Sequence, residues 1–338
     1  MQPPSRPLVG VLVNPRARRH RRDPAVARRL ASALGEHGVL REVDSLEALD
    51  RAVAEMIATG VTHLAVSGGD GTLGTTLTAY ARALSAARPP SESVADEDDR
   101  ATPSRQFALP IVIPLRGGTM NTIANALGVR RISPERLLAH ALRTLRDGVE
   151  LTCLERPTLD VGGRLGFLFG TGVFASFLDA YYAHGPNPTA LTAARTLAGL
   201  AASVLVRGPR ARRLTRPIDV AIEAPGFAHV GRCIAIAAGV VDQVGLGFRP
   251  FPRAFSRTDA FELLALRTSP LRTVAILPRV RMGLPLKEPH ATCALVSAAT
   301  LRTRDGAPLH YMVDGDLADV PEGVLPLAVG PRVRIAVV

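Results

Sequence analysis

Short apolar runs alternate with helix-forming segments through roughly the first 130 residues, and this alternation constrains the fold more than any other feature. The runs are 7–14 (PLVGVLVN), 39–44 (VLREVD), 61–68 (VTHLAVSG) and 108–115 (ALPIVIPL). Helical segments follow them at 23–38, 46–59, 71–87 and 119–128. Asp23 stands as an N-cap before Pro24, and Gly38 as the stop of the first helix. Parallel strands are joined by crossovers, so strands alternating with helices predict βαβ units and one parallel sheet. The polar stretch 88–106 (RPPSESVADEDDRATPSRQ) has no period and is expected to be a flexible surface insertion.

Beyond about Glu150 the pattern changes. PTLDVGGRLGFLFG reads as two strands joined by Gly162-Gly163, and PIDVAIEAPGFAHVGRCIAIAAG as a second hairpin. ATCALVSAATLRTRDGAPLHYMVDGD has an Asp305-Gly306 turn between alternating runs. One helix, 189–206, interrupts, and VGPRVRIAVV ends the chain as a strand. The fold class expected is therefore α/β followed by antiparallel β. Its parts are an α/β domain over 1–150 and an antiparallel sandwich or barrel over 151–322.

The charge is informative mainly by exclusion. Lys+Arg number 41 against 30 acids, a net charge of +11, yet Lys287 is the only lysine. A Walker A loop needs Lys before Ser or Thr, and a protein kinase needs a strand lysine, so both are excluded. An arginine-for-lysine bias with abundant Ala, Gly and Pro is also what a GC-rich genome would produce, so total charge assigns no partner. Aromatic content is 4% and no recognition motif appears, which argues against nucleic acid. Cys153, Cys233 and Cys293 are far apart and have no metal-ligand spacing; reduced thiols in a cytoplasmic protein are expected. No segment reads as a signal peptide, and the best apolar run, 191–206, is short and contains Arg195.

The chemistry concentrates in loops at strand ends. Ser67-Gly68-Gly69-Asp70-Gly71-Thr72 follows the third strand. Glycines there let backbone N–H groups approach an anion, and the next helix points its positive end at the same place. Gly68, Gly69, Gly71 and Thr72 thus form a candidate phosphate cradle. Asp70 would cap the helix, hold the loop, bind a ribose hydroxyl or engage Mg²⁺. The same string would also serve a plain strand-to-helix turn. The first strand ends in Asn14-Pro15 with Arg16, Arg18 and Arg19 beyond it, and the fourth in Arg116-Gly117-Gly118-Thr119-Met120-Asn121. A Rossmann fingerprint after the first strand is absent.

NPRARR, VSGGDGTL and RGGTMNTIANAL, in that order, resemble the diacylglycerol kinase catalytic-domain family, with its bacterial lipid kinases and its sphingosine and ceramide kinases. The resemblance covers the first half well and the second loosely. It implies a phosphofructokinase-like first domain, a β-sandwich second domain, and a final strand, within 323–338, that returns to the first. It also implies ATP and Mg²⁺ as cofactors and a lipid alcohol as acceptor. By match, Asn14, Gly68, Gly69, Gly71 and Thr72 would bind nucleotide, with Gly118, Thr119 and Asn121 extending the site. The string VDGD would supply the catalytic acids: Asp314 as general base and Asp316 where Glu is usual, with Asp70 as a third candidate. A structural metal site of the family is eroded at 257–263 (RTDAFEL), where Asp259 and Glu262 remain, and Arg116 replaces a tighter turn. GGDGT is shared with NAD kinases and phosphofructokinases. An NAD kinase-like enzyme and a nucleotide- or lipid-binding protein without catalysis therefore stand as alternatives.

A lipid kinase meets its substrate at a bilayer. Helix 189–206 with RGPRARRLTR after it, and FRPFPRAF at 248–255, are the candidate contacts with an acidic membrane surface. Each would also read as a core helix or a solvated basic loop.

Overall fold

A computed structural model describes residues 8–87, 109–185, 189–206, 208–286 and 288–338, without the Arg210 side chain. The expected insertion at 88–106 lies outside the described residues, as do Arg207 and Lys287. Four parallel strands lie in the spatial order Gly38–Glu42, Val9–Val13, His63–Ser67, Ile111–Pro114. Both faces of this sheet are covered by helices, so its strands read as unbroken apolar runs. Val9, Val11 and Val13 meet Val26, Leu30 and Leu138 on one face; Leu12, Leu64 and Val66 meet Val53, Met56 and Leu77 on the other.

The first helix departs from expectation. It spans Ala25–Leu34 and stops at Gly35, whose φ is 54°, rather than at Gly38. Gly38 instead opens the second strand, where a Cβ would meet the Val9 backbone oxygen. A short helix, Arg18–Arg22, follows Asn14-Pro15 where the sequence suggested only a loop.

The second half is antiparallel. Leu168–Gly172, Ala235–Gly239, Phe261–Leu266, Ala291–Val296, Leu309–Val313 and Asp316–Val320 form a six-stranded sheet. The other strands join the parallel set in one ten-stranded sheet. Its hinge is the last strand, Val324–Ala336, antiparallel to Ala298–Thr303 over its first part and beside Ile111–Pro114, in parallel, near its end.

Three runs that look continuous in sequence change sheets at one residue, at Phe167, Ile234 and Ser297. Gly162-Gly163 makes the expected turn, with φ of 57° and 87°. Asp305-Gly306 links strands of different sheets, because Ala298–Thr303 has already crossed to the large sheet.

Helix Val173–Tyr182 packs on the six-stranded sheet, Ala190–Leu205 packs on that helix, and Pro270–Arg281 packs on Ala190–Leu205. The phenylalanines of the FRPFPRAF stretch turn inward rather than to an outer surface. Phe251 is fully buried, Phe248 faces inward, and Phe255 packs on the core under the Arg156 guanidinium, 4.3 Å from the ring centroid.

Candidate active site

The C-terminal ends of three adjacent parallel strands, Val9–Val13, His63–Ser67 and Ile111–Pro114, bring the three loops together. Asn14 Nδ2 donates to Thr72 Oγ1 at 2.9 Å, and Asn14 Oδ1 accepts from the Arg16 amide at 2.9 Å. One side chain therefore ties the first loop to the start of helix Asp70–Ala86. The 117–118 loop lies directly on the 68–69 loop. A Cβ on Gly117 would stand 2.8 Å from Gly68 N, and one on Gly118 2.5 Å from Gly69 Cα, so only glycine permits this contact.

Asp70 locks the same pair of loops. Its Oδ2 accepts from Thr122 N at 2.8 Å and its Oδ1 from Ile123 N at 3.1 Å, at the start of helix Thr122–Ala126. Burial raises its pKa, and the two amides oppose that shift. Asn121, at φ 46°, closes its own loop: Oδ1 accepts from Gly118 N at 3.1 Å and Nδ2 donates to Gly118 O at 3.0 Å. Arg116, at φ 52°, donates to Val129 O at 3.0 Å and to Asn125 Oδ1. It is thus a pin for the loop. Thr119, Arg16 and Arg18 line the open space above this floor.

Asp314 arrives from the opposite side, on the turn between strands Leu309–Val313 and Asp316–Val320. Asp314 and Gly315 have φ of 50° and 95°, as a tight two-residue hairpin demands. The hairpin turn and the catalytic candidate are one object, because this turn points its carboxylate inward. Asp314 is 8% exposed. Its Oδ1 accepts from Phe167 N at 3.0 Å and Leu168 N at 2.9 Å, the amides where the chain changes sheets. Burial pushes its carboxyl well above the usual range; like charge on Asp70 and Asp316 adds to this, while the two amides oppose it.

Helix Asp70–Ala86 meets this turn through two glycines one helical turn apart. A Cβ on Gly71 would lie 2.4 Å from Asp316 Oδ2, and one on Gly74 2.9 Å from Asp314 Oδ2. The start of helix Asp70–Ala86 and the acidic turn are therefore in direct contact. Tyr182 Oη donates to Gly315 O at 2.8 Å, fixing the turn from its outer side. Motif reading missed Gly74 and Tyr182. A glycine inside a helix-forming run, GTLGTTL, was the available signal for the first; nothing local marks the second.

One cavity of about 700 Å³ joins these groups to an apolar chamber. Gly69, Asp70, Thr72, Gly118, Asp314 and Asp316 stand at its polar end. Leu168, Leu264 and Met312 of the six-stranded sheet line the chamber, with Phe174, Leu200 and Ile276 from the three helices. Helix Ala190–Leu205 is thus a cavity wall.

The stretch 257–263 holds its acids on arginines. Asp259 bonds Arg257 at 2.6 Å and 2.8 Å, and buried Glu262 accepts from Arg253 N at 2.7 Å and Nε at 3.2 Å. Among the described residues, no group of three His, Cys, Asp or Glu is placed to hold a metal. The residues fit a nucleotide-borne Mg²⁺, which keeps phosphate ligands and needs only a carboxylate or two; exposed Asp316 is available for it.

Residues 9–153 match the family model of the diacylglycerol kinase catalytic domain. This is the family that the three loops resemble. The chain is also similar to a crystal structure of a diacylglycerol kinase from Bacillus anthracis str. Sterne. The TM-score is 0.61 at 13% identity, covering 98% of this chain and 97% of that one. A second crystal structure from that organism, provisionally assigned to the same enzyme, gives 0.67 at 13% identity over 98% and 97%. At such identity the likeness speaks for the fold, and it extends over both halves. No curated protein matches the chain by sequence.

Proposed function

We propose that this chain, whose first half carries a diacylglycerol kinase catalytic domain, transfers the γ-phosphate of ATP to the hydroxyl of a diacylglycerol- or sphingosine-like lipid. The observation that carries the reading is the single cavity with a phosphate cradle and buried acid at one end and an apolar chamber at the other. A nucleotide alone needs no such chamber, and an apolar ligand alone needs no glycine cradle.

In this reading the backbone at Gly69, Gly71 and Gly118, with the Thr72 and Thr119 side chains, receives the nucleotide phosphates, while Gly68, buried under Gly117 and off the cavity, shapes the loop rather than touching them. Arg16 and Arg18 balance their charge. Asn14, Asp70 and Asn121 act as positioning residues that hold the loops against one another. The lipid's chains occupy the apolar chamber, which leaves its hydroxyl beside Asp314. The hydroxyl oxygen forms a new bond to the γ-phosphorus as the bond to the ADP oxygen breaks, and Asp314 takes the hydroxyl proton. The raised pKa makes Asp314 a stronger base than an exposed aspartate. Mg²⁺ carried by the nucleotide would neutralise phosphate charge, with Asp316 as its protein ligand. The substrate's residence in a bilayer implies contact with an acidic membrane surface.

The test is phosphate transfer from labelled ATP and Mg²⁺ to a panel of lipid alcohols in mixed micelles, with wild type and Asp314→Asn. Transfer to one lipid class, reduced about a hundredfold or more in the variant, is expected. No transfer to any lipid, by protein shown to bind ATP, would sink the proposal.

A further inference from the structure

The two helices on the outer side of the cavity break the rule for surface helices, which turn a polar stripe to water. On helix Ala190–Leu205 the exposed positions Leu191, Ala194, Ala198, Ala202 and Leu205 follow one another at helical spacing. Leu191 is 58% exposed, Leu205 64%, and Val206 just beyond 77%. Arg195 is the only charged residue in the helix. Its opposite side, through Ala193 and Leu200, lines the cavity, so the helix is apolar nearly all round.

Helix Pro270–Arg281 repeats the arrangement. Leu271, Ala275, Pro278 and Met282 are all exposed at i, i+4, i+7 and i+11, while Ile276, Leu277 and Val280 line the cavity. Exposed Arg272, Arg279 and Arg281 flank the outer stripe. The helices meet through Leu200, Val204 and Val274.

Charge follows the same two segments. Residues 189–217 contain six arginines, and residues 267–287 four arginines and Lys287; neither contains an acid. Without these eleven cations the chain has 30 basic and 30 acidic residues. Most of the net charge of the protein therefore falls in the two segments that also carry the exposed apolar stripes, with Arg267 paired to Glu288 just beyond the second.

We propose that the outer face formed by helices Ala190–Leu205 and Pro270–Arg281 docks on an anionic lipid bilayer, apolar stripes in the interface and arginines at the headgroups. Sixteen residues of helix span about 24 Å, short of the roughly 30 Å hydrocarbon core, so the first helix lies on the membrane rather than through it. A second copy of this chain is disfavoured as the occupant, since exposed Arg195, Arg212, Arg213, Arg272, Arg279 and Arg281 would face the same arginines of the other copy. A nucleic acid would use the charge and leave the apolar stripes in water. This inference rests on the proposed lipid kinase only for the reason a bilayer is met; the face is tested without nucleotide.

The experiment is flotation of the full chain with phosphatidylcholine vesicles, with and without about one third phosphatidylglycerol. Wild type should bind the anionic vesicles at least about tenfold better. The combined Leu205→Gln, Leu271→Gln, Met282→Gln variant leaves charge unchanged and alters only exposed side chains. It should lose about tenfold on the anionic vesicles while keeping the wild-type urea midpoint. If that midpoint falls, Arg212→Gln with Arg213→Gln takes its place, with a loss of about threefold or more expected. Equal binding to neutral vesicles, or undiminished binding by the folded variants, would overturn the proposal. So would a wild-type dimer that the glutamines dissolve, or tighter binding to a single-stranded oligonucleotide than to anionic vesicles. Vesicle binding without phosphate transfer would leave the face and sink the kinase. Transfer to a short-chain lipid in solution without vesicle binding would do the reverse.

Discussion

Gly74→Ala sets two known effects against each other. Gly74 lies inside helix Asp70–Ala86, where alanine is favoured over glycine by about 1 kcal/mol. Its added Cβ, however, would stand 2.9 Å from both Leu165 O and Asp314 Oδ2, against the 3.4 Å where ordinary contact begins. About 0.5 Å must be found. The strand cannot easily supply it, because Leu165 N donates to Thr78 Oγ1 on the same helix at 2.9 Å. Overpacking of this kind costs about 1–3 kcal/mol, so the net change is a destabilisation of up to about 2 kcal/mol. The Asp314 carboxylate is the softer neighbour and should turn from the Phe167 and Leu168 amides. For a base that must meet a hydroxyl, that displacement should lower kcat about a hundredfold. Initial rates in mixed micelles, with urea unfolding on the same preparation, separate the two effects. A folded variant within about threefold of the wild-type rate would refute the reasoning, because Asp314 could then move without consequence.

Three further expectations concern neighbouring groups. Asp70→Asn leaves one of the Thr122 and Ile123 amides facing an NH₂ group; stability should fall by about 1–3 kcal/mol and the KM for ATP should rise about tenfold, so ATP binding at wild-type strength would contradict the loop-locking role. The rate should climb with pH on an acidic limb above the ordinary aspartate value of 3.8, since Asp314 must ionise to accept a proton and burial holds its pKa up; a rate already flat from about pH 4.5 would count against it. The same group makes a stability test: a raised folded pKa contributes stability that is full below the unfolded value and lost as pH rises through the folded one, so Asp314→Asn should outlast wild type in urea at about pH 8, with the gap narrowing toward about pH 4. Arg116→Lys cannot reach both Val129 O and Asn125 Oδ1, and should lower stability by about 1–2 kcal/mol in thermal unfolding; an unchanged Tm would mean the pin is dispensable.

The sequence by itself determined the parallel strands and the three loops, because both signals are local. A strand buried on both faces is a continuous apolar run, as at Val9–Val13 and His63–Ser67. A glycine where backbone meets backbone cannot be replaced without a clash, so the sequence keeps it visible, as at Gly117 and Gly118. Only the tertiary structure decided where those pieces went. Each sheet change at Phe167, Ile234 and Ser297 takes a single residue inside a run that reads as strand throughout, because either sheet satisfies the same local preference. That choice leaves the Phe167 and Leu168 amides for a carboxylate almost 150 residues away. One arginine cluster, RGPRARRLTR after helix 189–206, was legible in the sequence, but its pairing with the arginines of Pro270–Arg281 was not. Their concentration beside two apolar stripes follows from packing Ala190–Leu205 against Pro270–Arg281, a contact between segments too distant in sequence for any local pattern to encode.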